Sequence, residues 1–129
     1  MSCSCYSGLS YDECCRPYHE GRAAPTALAL MRSRYSAYAM GKADYIMRTT
    51  HRAYRKQERV WRGQINLFCQ ETHFLGLEIL ETTEGAKESF ITFKALLKKG
   101  DEDISFTEKS RFLKERGNWY YCHSSPSSS

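Results

Sequence analysis

Four cysteines crowd the first fifteen residues of this chain. Cys3, Cys5, Cys14 and Cys15 follow the spacing C-x-C-x8-C-C. Thiolates are soft ligands, and Zn2+ takes four such ligands in a tetrahedron. Two pairs at the two ends of a short loop supply that set. Between them lie the turn formers Ser7, Gly8 and Ser10. Gly8 lets the backbone bend where a side chain would clash. Arg16 and Arg22 are placed to offset the charge of a four-thiolate site, and Tyr11 and Tyr18 to pack around the loop. His19 is a rival fourth ligand that would replace Cys15. Adjacent Cys14 and Cys15 bind together only where the backbone turns, so Cys15 is preferred but the choice stays open. A redox role fits less well, because vicinal cysteines make a strained disulfide and C-x-C is not the thioredoxin spacing. A closed four-ligand site leaves no position for water, so it is structural rather than catalytic.

The stretch CSCYSGLSYDECC resembles the SEC-C zinc motif, whose pattern is roughly C-P-C-G-S-G-x-x-Y-x-x-C-C or C-H. Both cysteine pairs, Ser7, Gly8 and Tyr11 match it. Ser4 stands where proline is usual, and Tyr6 where glycine is usual and would permit positive φ. The run RPYHEGRAAPTALALMRSRYSAYAMGKADYI extends the likeness to the YchJ-like family. Thr49, Thr50 and His51, then FLGLEIL and EKSRFLKERGNWYY, continue it. In that family the motif precedes a nuclear transport factor two-like, or cystatin-like, cone domain. Many members carry a second, C-terminal cysteine cluster, where this chain offers only Cys122 and His123. The resemblance implies a zinc motif over residues 1–22 and a cone over 23–123.

The residues themselves ask for the same elements. Pro25 and Thr26 open a helix. Leu28, Met31, Tyr35 and Tyr38 then repeat on one helical face, and Gly41 stops it. Asp44 is placed to cap a short second helix holding Tyr45, Ile46 and Met47. A third helical pattern runs from Tyr54 to Thr72, with Val60, Trp61, Ile65, Phe68 and Cys69 on its apolar face. After His73 the period changes toward two. Strands follow around Leu77–Leu80, Ser89–Leu97, Ile104–Leu113 and Trp119–Tyr121, with turns at Thr83–Gly85, Gly100–Asp101 and Gly117–Asn118. Helices first, then an antiparallel meander, predict an α+β fold. The serine-rich residues 124–129 read as a disordered tail.

Alternation puts Phe106, Glu108, Ser110 and Phe112 on one strand face. A carboxylate between aromatics needs a partner. Arg32, placed by the helical phase of Leu28 and Tyr35, is the expected one, with Arg34 turned toward the edge. An Arg32–Glu108 pair with Ser110 would be a structural link or the polar end of a pocket. Tyr35, Asp44, His51 and Trp61 are its candidate neighbours.

Composition limits the function. Of 129 residues, 41% are hydrophobic and 26% charged, and the net charge is +4. The charges are dispersed, so a nucleic-acid stripe is not expected. No charged segment followed by an apolar core opens the chain, so a cytoplasmic location is expected, where clustered cysteines are more often metal ligands than disulfides. The leading expectation is a non-enzymatic, zinc-stabilised module that binds another protein, in the translation or secretion machinery by analogy with the SecA motif. A small-molecule-binding or hydrolytic enzyme using the cone is the alternative, and a nucleic-acid contact through Arg16, Arg22, Arg32 and Arg34 ranks third.

Overall fold

The structure is a computed structural model that describes residues 2–126. Its first element, α1 (Arg16–His19), is one turn that follows the cysteine loop. α2 (Ala27–Met40) is the spine of the cone, and local signals fix both its ends. The Thr26 hydroxyl accepts from the Ala29 amide at 3.0 Å, satisfying an orphan donor of the first turn. Gly41 ends the helix at φ 72°, where a side chain would be strained.

The next two helices differ from expectation. In α3 (Ala43–Arg48), Asp44 lies inside the first turn, and Lys42 holds the cap without a side-chain bond. The third helical pattern is interrupted: Arg52–Tyr54 make a 3-10 turn, and α4 spans Glu58–Glu71. Gln57 resets the start, because its side-chain oxygen accepts from the Val60 amide at 2.9 Å. Val60, expected on the apolar face, is consequently a first-turn residue and 59% exposed. Ile65 is the buried centre of α4.

Strands β1 (His73–Thr83), β2 (Glu88–Lys99), β3 (Glu102–Asp103), β4 (Phe106–Glu115) and β5 (Asn118–Pro126) form one antiparallel sheet. The order is β1-β2-β4-β5, with β3 beside β2. Register shifts at Phe74/Gly76, Ile79/Glu81 and Arg111/Phe112 break the ladder. Such bulges bend and twist strands, and the sheet curves around α2. Its concave residues Ile91, Phe93, Ala95 and Phe112 pack with Leu30, Met31 and Tyr35 in the main core. A second cluster of Ala37, Tyr45, Ile46, Met47 and Ile65 joins the helices to one another.

The bulge at Gly76 has a built-in partner. The Tyr35 hydroxyl donates to the Gly76 carbonyl at 2.8 Å and accepts from its amide at 3.2 Å. A β-carbon at this position would lie 2.8 Å from Leu96 Cδ1, a terminal methyl that would have to move aside.

The serine run starts inside the sheet and not as a tail. Ser124, Ser125 and Pro126 pair with Ser110, Lys109 and Glu108. Ladder pairing uses the backbone, which composition does not report. Residues 127–129 lie outside the described residues. Among the described residues, no helix is long and apolar enough to cross a membrane.

Candidate metal centre and cone cavity

The N-terminal loop is folded by its own backbone. The Cys3 amide donates to the Leu9 carbonyl at 2.8 Å, and the Tyr6 amide to the Cys3 carbonyl at 3.1 Å. Gly8 turns the loop at φ 92°, and Tyr6 takes φ 62°. The Sγ atoms of Cys3, Cys5, Cys14 and Cys15 all lie within 4.8 Å of one another. Cys5 and Cys14 are 3.5 Å apart at sulfur, and Cys14 and Cys15 are 3.8 Å apart. These separations exclude disulfides, which need about 2.05 Å. They match a tetrahedral edge of roughly 3.8 Å, which follows from a zinc–sulfur bond of about 2.3 Å. The donor set and spacing therefore fit a thiophilic metal.

The thiols share their protons unequally. Interaction with the neighbouring Cys15 thiol draws Cys5 down to about 4 against the opposing effect of burial. Cys15 is pushed up for the same reason, and burial pushes Cys14 up. Ser7 adds a hydroxyl 3.1 Å from Cys14 Sγ. Binding a metal cation would release the remaining thiol protons, because the ligands must be thiolates.

His19 is not part of the cluster. Its Nε2 lies 2.8 Å from the Ser33 carbonyl, which can only accept, so Nε2 carries the proton. Its Nδ1 then accepts from the Tyr11 hydroxyl at 2.8 Å. Burial holds the imidazole below its ordinary pKa, in the neutral form this network needs. Tyr11 packs on the cysteines as expected, but Tyr18 faces the two cores of the cone. Arg16 pairs with Asp12 and Glu20 at 2.9 and 3.0 Å instead of facing the thiols.

The expected pocket residues separate. Arg32 Nη1 donates to the Cys5 carbonyl at 3.0 Å, so it serves the cysteine loop and not Glu108. Arg34 is the buried arginine. Its Nη1 bonds the Ile46 carbonyl at 2.9 Å and the Thr49 and Thr50 hydroxyls at 2.8 and 3.2 Å. The phase error has a physical cause. Sheet, loop and helices cover α2 on several sides, so Leu30, Met31 and Arg34 define a buried face as well as Tyr35. Asp44 is exposed and pairs with Arg62. His51 lies apart, 2.9 Å from Glu115. Tyr35, Trp61, Glu108 and Ser110 do meet, around a cavity of about 370 Å³ between α2, α4 and the concave sheet.

Residues 26–124 match the family described as YchJ, middle NTF2-like domain. The chain belongs to the YchJ-like family. A UPF0225 protein of Pectobacterium carotovorum is 39% identical over 127 residues, covering 93% of this chain and 80% of that one. The solution structure of a SEC-C motif containing protein from Rhodopseudomonas palustris has a TM-score of 0.88 and 35% identity, covering 99% of this chain and 100% of that one. The crystal structure of another, from Psychrobacter arcticus, has a TM-score of 0.79 and 33% identity, covering 95% of this chain and 76% of that one.

Within this YchJ-like chain, the residue at the usual glycine position keeps the left-handed backbone and adds a contact. The Tyr6 hydroxyl donates to the Phe74 carbonyl at 2.8 Å, and its ring meets Tyr35 edge-on at 6.2 Å. Sequence reasoning turned Arg34 to the edge and did not bring Phe68 and Phe93 to the cavity, although it placed Phe112 on the face of Glu108 and Ser110. Several faces of α2 carry apolar residues, so periodicity did not single out Arg34. The aromatics converge only in three dimensions.

Proposed function

We propose that the four-cysteine cluster holds one structural Zn2+ and that the chain is a non-enzymatic binding protein whose cysteine knuckle meets another protein. The observation that carries this reading is the cluster itself: four thiols within 4.8 Å, three of them buried. Four thiolates complete a zinc tetrahedron, so the ion would organise the loop and activate no water. The knuckle offers a partner the exposed side chains Leu9 and Tyr6. The expected setting is a reducing compartment, where thiols stay available to metal. A partner in the translation or secretion machinery is the specific form of this proposal.

The competing enzyme reading finds less support. Asp44 and His51, two of the residues expected to line its pocket, lie away from the cavity. Metal analysis of chain purified without chelators tests the zinc assignment. About one zinc per chain is expected; less than a tenth of that ends it. Pull-down with intact chain and Cys14→Ser tests the surface: identical partners would remove the knuckle from the contact.

A further inference from the structure

The cone cavity is lined by a buried cation that makes no salt bridge among the described residues. Arg34 is 7% exposed, and its three acceptors are a carbonyl and two hydroxyls. No carboxylate pairs with it among the described residues. The Tyr121 ring, 4.4 Å away, supplies only its π face. Burial holds the guanidinium below its ordinary pKa. A buried charge calls for an opposite one.

Ser110 adds a hydroxyl to the same walls. It is 2% exposed and lines the cavity. Of the charged residues at the walls, Arg34 is buried, Glu108 half-buried and Lys56 exposed, so the most desolvated charge is positive and favours an anion. The remaining surface is mostly aromatic, with Trp61 and Phe68 on α4 facing Phe93, Phe106 and Phe112 on the sheet. Such walls suit a flat ring, and about 370 Å³ is within the range of small-ligand pockets.

We propose that this cavity binds a small planar aromatic monocarboxylate, its ring between α4 and the sheet and its carboxylate toward Arg34 and Ser110. The ligand would supply the missing counter-ion and accept a hydrogen bond from Ser110. The site is independent of the cysteine cluster.

The test titrates the full, metal-loaded chain with 2-naphthoate, naphthalene-2-carboxamide and 2-naphthylmethylammonium. Amide and Trp61 indole shifts report binding. The carboxylate should bind at least about tenfold more tightly than the carboxamide, as expected for a charge-assisted contact, and the ammonium should bind weakest. Ser110→Ala should weaken 2-naphthoate several-fold, and Ala95→Leu, which fills the cavity, should abolish its binding. Equal affinity for all three probes, preference for the ammonium, or no binding by the folded chain would overturn the proposal. So would full affinity in Ser110→Ala, which decides the matter if Ala95→Leu fails to fold.

Discussion

Arg32 on the cone helix donates to the carbonyl of Cys5 in the knuckle at 3.0 Å. The bond joins the two parts of the molecule beside a metal-ligand candidate. Arg32→Met should loosen the knuckle while α2 persists. Metal affinity, read by competition with a chromophoric chelator, should fall by about tenfold, as expected for losing one hydrogen bond from a charged donor. Arg32→Lys should recover part of it. Unchanged affinity in Arg32→Met would show that the tether does not support the site.

Removing metal should act locally. The knuckle's own apolar cluster is limited to the cysteines and Tyr11, whereas α2 and the sheet share a separate core. Chelation or Cys14→Ser should therefore strip hydrogen-exchange protection from residues 3–15 and leave β2 and β4 protected. Loss of the sheet signals at the same time would mean that metal supports the whole fold.

Acid should destabilise the folded chain through His19. Burial depresses its pKa below the ordinary 6.5, so the unfolded state binds more protons between the two values. Stability is then full above 6.5 and falls as pH drops through that value toward the folded pKa. Urea midpoints at pH 7.5 and 5.5, with zinc in excess, should differ more for the native chain than for His19→Gln. Equal differences would remove His19 as the cause.

Tyr35→Phe deletes one oxygen and leaves two backbone groups at Gly76 without their partner. The expected cost is about 1–3 kcal/mol, the range for unsatisfied buried groups, read from equilibrium urea unfolding. A cost below about 0.5 kcal/mol would mean that the bulge finds other partners.

The parts legible in the sequence were those written locally. Thr26 and Gly41 mark α2 because capping is decided within a few residues. The C-x-C and C-C pairs announce a cluster because their spacing limits where the sulfurs go. Phase on α2 was not legible, since small and apolar residues surround that helix and several faces satisfy a periodic pattern. The arginine expected at the cavity was wrong by two positions: Arg32 serves Cys5, and Arg34 lines the cavity without pairing with Glu108. β5 ran past its aromatic signal because the ladder is made by backbone groups, which serine also carries.

Tyr6 carries a consequence for engineering. An L-residue in the left-handed region costs about 1–2 kcal/mol relative to glycine, and here the cost is offset by a side chain that reaches Phe74 and Tyr35. The knuckle is therefore not a portable cassette. Grafted onto another protein it would keep the conformational cost and lose the contacts, and a graft should carry glycine at this position from the outset.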